Sequence, residues 1–252
     1  MARHAPRGRL TAPAGGPGHG DGVRELVEVM DLLRSPGGCP WDAEQTHESL
    51  VPYALEEAHE VVEAIEVGDR AGMREELGDL LLQVVFHTRL AEEHSDDPFD
   101  LDDVARGVAA KLVRRHPHVF GAEAGTADTD TDADADADTD DADAVHARWE
   151  RIKTAEKQRT SVLEGIPLAQ GALARSQKLL ARARRAGLAV DTVAVARQHV
   201  TQAPSGVGPG AALGARLLLL AAEADDAGLD AEAALRAALR TLESAVRDAE
   251  AG

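Results

Sequence analysis

Two nine-residue stretches, offset by 19 positions, repeat one design: Glu57-Ala-His-Glu-Val-Val-Glu-Ala-Ile65 and Glu76-Leu-Gly-Asp-Leu-Leu-Leu-Gln-Val84. In each, apolar residues recur at helical spacing and in the same phase. They are Ala58, Val61, Val62 and Ile65 in the first, and Leu77, Leu80, Leu81 and Val84 in the second. Gly68 and Asp69 separate the two patterns, which predicts helices over about 50–67 and 69–93. A connection that short makes them antiparallel neighbours. With the stripes packed on each other, Glu57 and Glu60 flank one helix, Glu76 and Asp79 flank the other, and the four carboxylates converge.

The rest of the chain follows the same period. Leu26, Val29, Met30 and Leu33 predict a first helix over 23–33, stopped at Ser35-Pro-Gly-Gly38, and Cys39-Pro-Trp-Asp42 reads as loop. Val104, Val108 and Leu112 predict a helix from Leu101 that ends at His116-Pro117, because proline cannot continue it. Further helices are expected over 145–159, 171–185, 212–226 and 231–250, with a connector over 161–167 and a Pro/Gly-rich loop over 203–210. No segment alternates with period two. The expected fold is all-α, an antiparallel helical bundle, and the 2% aromatic content agrees with a core of Leu, Val and Ala.

The net charge of −18 is unevenly placed, since nine Asp and no Lys or Arg lie between Thr126 and Ala144. That stretch is expected to be a disordered acidic linker, and the remainder carries −9. A moderately acidic body argues against general nucleic-acid or anionic-membrane binding. No apolar run approaches the roughly 20 residues that span a bilayer. The first 22 residues, with six Gly and three Pro, read as a disordered tail without a signal-peptide core. The single cysteine, Cys39, excludes an intrachain disulfide, and a cytoplasmic location is expected. The organisation expected is a tail over 1–22, a helical domain over 23–122, the linker over 123–144, completing helices over 145–190 and a last helical domain over 191–252.

Four converging carboxylates repel one another unless cations neutralise them, and a site of hard oxygen donors suits Mg²⁺, with Mn²⁺ as the alternative. The competing reading is an ordinary solvated acidic face; repetition in phase beside the stripe favours the site. Glu56-x-x-His59 spells half of a di-iron bundle motif, but the second helix offers no partner histidine. Lys111, Arg114 and Arg115 stand at i, i+3 and i+4 on the helix from Leu101, and Trp149, Lys153 and Lys157 share a face beyond the linker. A polyphosphate can lie between such acids and bases, unless the basic runs are solvated faces. Trp41 and Trp149 can stack a base or anchor packing. Gly-x-x-x-x-Gly-Lys-Ser/Thr, His-Glu-x-x-His and Gly-x-Ser-x-Gly are all absent, which leaves metal-assisted hydrolysis.

Gly38-Cys-Pro-Trp-Asp-Ala-Glu-Gln-Thr-His47, Glu56-Glu-Ala-His-Glu60, Glu75 to His87 and Arg114-Arg-His-Pro-His-Val-Phe-Gly121 follow in order a pattern that resembles the MazG family. Trp149-Glu-Arg-Ile-Lys153 to Lys157 and Ser161-Val-Leu-Glu-Gly-Ile-Pro167 extend the resemblance to about residue 190. It implies an all-α hydrolase that converts a nucleoside triphosphate to the monophosphate and pyrophosphate with Mg²⁺, in nucleotide-pool house-cleaning. It also implies Glu57, Glu60, Glu76 and Asp79 as metal ligands, Glu60 as orienting base, and a homodimer whose subunits share one bundle. Ala212-Leu-Gly-Ala215-Arg-Leu-Leu-Leu-Leu220 resembles a second copy of Glu76–Val84 whose acids have become alanines. Pairing Asp100 with Asp230 sets Thr241, Ser244 and Ala245 against Lys111, Arg114 and Arg115. The last domain therefore reads as a degenerate copy. Two alternatives stay open, a hydrolase for a modified nucleotide or other pyrophosphate compound, and a noncatalytic helical module that binds a nucleotide or a partner.

Overall fold

The computed structural model describes residues 20–120, 161–202 and 209–252. These are helices and connections with no strand among them, so the chain is all-α. The expected linker over 123–144, the helix over 145–159 and residues 1–19 of the expected tail lie outside the described residues. Contacts group the chain into two units, Met1–Asp138 and Thr139–Gly252.

The first unit contains α1 (Asp21–Arg34), α2 (Pro40–Glu44), α3 (His47–Val67), α4 (Arg70–Ala91), α5 (Leu101–Arg115) and the single turn α6 (Pro117–Phe120). Helix α1 takes in Asp21 and Gly22, which the sequence reading assigned to the tail. Helix α2 replaces the expected loop at Cys39–Asp42. Pro40 sits at its first turn, where the missing N–H is no loss and the fixed φ favours a helix start. Helix α3 begins three residues before Leu50 because Thr46 and Ser49 form a reciprocal cap. The Ser49 N–H donates to Thr46 Oγ1 at 3.2 Å, and the Thr46 N–H donates to Ser49 Oγ at 2.9 Å.

The turn between α3 and α4 is built as its residues suggest. Gly68 adopts φ 73°, left-handed, and its N–H reaches the Ala64 and Ile65 carbonyls. Asp69 then accepts from the Ala71 and Gly72 N–H groups, both at 3.0 Å, and starts α4. The hairpin α3–α4 is the most extensive helix pair in the unit. At the opposite end of the hairpin, Met30, Leu50, Val85, Phe86 and Leu90 form the buried core, edged by Leu26, Val27, Leu81, Leu82 and Leu101.

The phase of the hairpin differs from the expectation. The inward face of α3 runs through Leu50, Ala54, Glu57, Val61 and Ala64, while Ala58 is exposed and Ile65 is 59% exposed. On α4, Glu76, Asp79 and Gln83 lie on the inward row, while Leu77 is 49% exposed and Val84 is also exposed. The seam is thus rotated roughly a quarter turn from the apolar stripes. Each helix carries two faces able to pack, and the small residues Ala54 and Ala64 let the helices approach on the one that also holds the acids.

The second unit contains α7 (Ala172–Arg185), α8 (Thr192–Thr201), α9 (Pro209–Asp226) and α10 (Ala231–Ala251). Helix α8 was not foreseen. Its start is set by Asp191, whose side chain accepts from the Ala194 N–H. Helix α9 begins at Pro209, inside the expected loop. Alanines dominate the packing, with Ala183, Ala196, Ala215, Ala221 and Ala222 buried beside Ile166. The Gln177 amide clasps the α9–α10 turn, donating to the Leu229 carbonyl at 2.7 Å and accepting from the Ala231 N–H at 2.9 Å. Arg184 on α7 pairs with Asp225 on α9. Ala212 is half-buried and Ala215 is buried, so the positions that carry acids on α4 serve close packing on α9.

Candidate metal centre

Among the described residues, Glu57, Glu76 and Asp79 form one group able to hold a metal ion. Each offers a carboxylate oxygen, and the three oxygens lie within 4.8 Å of one another. All three side chains are half-buried in the α3–α4 seam. Burial and crowding leave their mark on the protonation of the two glutamates. The Glu57 carboxyl is raised above its ordinary range by desolvation, then by the charges of Asp79, Glu60 and Glu76. Glu76 is raised by desolvation and by Glu60, Glu75 and Asp79. An array of acceptor oxygens under mutual repulsion matches the donor chemistry of a hard divalent cation.

The other candidates separate in three dimensions. Glu60 is exposed at the rim, one turn from Glu57, and its side chain interacts with both Glu57 and Glu76. Glu56 and His59 are exposed and stand off the inward face, which removes the di-iron alternative. Lys111 and Arg114 are exposed on α5, but Arg115 is buried, so the basic triplet is not a single open face. One hundred degrees of turn between consecutive residues carries Arg115 inward. Trp149, Lys153 and Lys157 lie outside the described residues.

Trp41 is 50% exposed and meets Tyr53 and Phe86 edge-on, with ring centroids 6.1 and 6.4 Å away. Phe86 belongs to the core, whereas Tyr53 stands one turn before Glu57 on α3. The indole therefore anchors α2 while half of it stays exposed. Sequence reading missed the residue that fixes this placement. Arg34, with a side chain 8% exposed, donates from Nη1 to the Asp42 and Gln45 carbonyls at 2.6 and 3.1 Å. Its Nε and Nη2 make a two-pronged pair with Glu93 at 2.8 and 2.9 Å. The Glu93 carboxyl is held below its usual range, chiefly by that hydrogen bond.

Beyond the acids the seam stays polar. Gln83 is buried, and one turn further His87 faces His47 at the start of α3, Nδ1 to Nδ1 at 2.8 Å with the rings stacked 3° from parallel. One ring must donate and the other accept, so at least one imidazole is neutral. Burial, and then the neighbouring His47, push His87 below its ordinary value. Spacing could have flagged this row, since residues 76, 79, 83 and 87 fall on one helix face.

Among the described residues, no helix is long and apolar enough to cross a membrane. The profile of the MazG nucleotide pyrophosphohydrolase domain matches residues 45–120, the span of α3 to α6. A Streptomyces cacaoi protein described as an "Uncharacterized 26.1 kDa protein in blaB 3'region" is 48% identical over 227 residues, covering 90% of this chain and 81% of that one. The nucleoside triphosphate pyrophosphohydrolase of Mycobacterium tuberculosis is 42% identical over 169 residues, or 67% of this chain and 47% of its own. That of Escherichia coli is 41% identical over 169 residues, or 66% of this chain and 58% of its own. The chain thus spans about half the length of these two named hydrolases. With the acid-bearing hairpin inside the matched span and this identity running well beyond it, the chain belongs to the MazG family.

Proposed function

We propose that the chain is a nucleoside triphosphate pyrophosphohydrolase that uses Mg²⁺, or Mn²⁺ in its place, held by Glu57, Glu76 and Asp79 with Glu60 at the rim. The observation that carries this reading is the meeting of three carboxylate oxygens within 4.8 Å in a half-buried seam. When bound, the cation neutralises phosphate charge and lowers the cost of bringing a polyanion to the acids. In the reaction, the oxygen of a water bonds to the α-phosphorus as the bond to the α–β bridging oxygen breaks, releasing the monophosphate and pyrophosphate. Glu60, exposed and next to the acids, is suited to orient that water and take its proton. Lys111 and Arg114 would neutralise the departing pyrophosphate. Trp41 offers a half-exposed ring to a base.

The apolar face left open on the hairpin, with Leu55, Ile65, Leu77 and Val84 exposed, is proposed to meet the same face of a second copy, giving a homodimer. The second unit is read as noncatalytic, because Ala212 and Ala215 leave its matching face without ligands. We place the protein in the cytoplasm, where nucleotide pools are policed. Incubation with a panel of ribo- and deoxyribonucleoside triphosphates and Mg²⁺ tests the reaction. Monophosphate and pyrophosphate are the expected products; diphosphate and phosphate, or binding without turnover, would overturn it.

A further inference from the structure

Gln83 is 8% exposed, and its Oε1 is fully buried with no hydrogen-bond partner. A buried amide oxygen left without a donor is costly, so such an atom calls for an explanation. Its position supplies one. Gln83 follows Asp79 by four residues and Glu76 by seven, on the row of α4 that faces α3. Long side chains on a helix lean toward the N-terminal turn, which sends this amide toward Asp79 and away from the core at Phe86 and Leu90. The acids above it, when ionised, are acceptors and cannot satisfy an acceptor. With the carboxylates ionised, the donor is left to something that enters the seam.

We propose that Gln83 is a positioning residue of the metal centre, its Oε1 accepting a hydrogen bond from a water of the cation's hydration shell. The inference rests on the metal reading of Glu57, Glu76 and Asp79. Magnesium and manganese keep several waters when held by few carboxylates, and those waters are strong donors that need fixed acceptors. Before the cation arrives, the orphaned oxygen weakens the fold; once it has bound, the same oxygen orients its water. A residue that only fills space predicts neither half of that pair of effects.

The test titrates Mn²⁺ into full-length, nucleotide-free protein, reading the free ion by electron paramagnetic resonance, and records melting in EDTA. Wild type should bind Mn²⁺ and Glu57→Gln should lose that binding, which checks the metal reading by itself. Gln83→Met conserves length and shape but removes the acceptor. Its Mn²⁺ Kd is expected to rise roughly tenfold, while its metal-free Tm rises by about 2–4 °C. Gln83→Leu should behave alike and decides the matter if the Met variant does not fold. An Mn²⁺ Kd within twofold of wild type, or a metal-free Tm that falls, would overturn the role of Gln83 while leaving the metal centre intact. Wild type that takes up no Mn²⁺, or Glu57→Gln that binds as wild type does, would overturn both.

Discussion

Glu57 sits at the middle of the inward face of α3, where an apolar residue would be the ordinary choice. Its carboxyl and that of Glu76 are held above their usual range, so the native state binds their protons more tightly than the unfolded chain does. Their contribution to stability is therefore complete below the ordinary glutamate value, and is lost as pH rises through the raised one. Glu57→Gln removes that loss. In EDTA the variant should melt above wild type by a margin that widens from about pH 4 to pH 7. With saturating Mg²⁺ the order should reverse, because only wild type gains binding energy. A margin that does not change with pH would mean the carboxylates are not held together. These acids were legible in the sequence because a 19-residue offset repeats them in phase. Gln83 was not assigned a role, since an amide between leucines and valines carries no signal until its burial and missing donor are seen.

At the scale of elements, the sequence reading placed α3, α4 and α5 within a few residues but turned the hairpin the wrong way. Apolar spacing marks a face that wants cover; it does not say whether the chain's own next helix or another molecule provides it. Helix α2 was hidden by Pro40, which breaks a helix in its interior and begins one at its first turn. The hold on α2 is Arg34, and its removal has a definite cost. Arg34→Met takes a donor from the Asp42 and Gln45 carbonyls and leaves the Glu93 carboxylate with Arg89 as its remaining charged partner. Chemical denaturation should show a loss of about 2–3 kcal/mol, discounted because Glu93 is partly exposed. The Glu93 value is lowered in the folded chain, so the stability it lends is present above the ordinary glutamate range and fades as pH falls through the lowered value. The penalty of Arg34→Met should shrink accordingly in acid. A penalty that grows there would refute the pairing as its source.

For the whole molecule, the α3–α4 hairpin leaves an open apolar face in the first unit, with Leu55, Ile65, Leu77 and Val84 exposed. If two copies meet there, the double variant Ile65→Glu, Leu77→Glu should sediment as a monomer while keeping its helical circular dichroism. Wild type that sediments as a monomer at micromolar concentration would remove the dimer. Helix α10 poses the same question in the second unit, since it has no buried residue and exposes Leu235, Leu239, Leu242 and Val246 along one side. The all-α class and the family were readable from helical periods and motif order. The loss of acids from the second copy was readable from Ala212 and Ala215. The alanine packing of the second unit was not, because Ala is acceptable on any helix face and its burial depends on the neighbour.

The tight turn at Gly68 and Asp69 has a consequence in time as well as in space. The three carboxylates proposed to hold the cation lie within a 23-residue span, Glu57 to Asp79, so the hairpin that assembles them is a local contact of the kind that forms early in folding. Like charges would thus be brought together while most of the chain is still unstructured, and would slow the step on which later packing depends. A divalent cation present at that moment would act on the folding barrier as well as on the finished protein. Refolding from denaturant should quicken when millimolar Mg²⁺ is added to wild type and stay unchanged for Glu57→Gln, as stopped-flow circular dichroism would record; equal acceleration of both would place the cation's effect elsewhere.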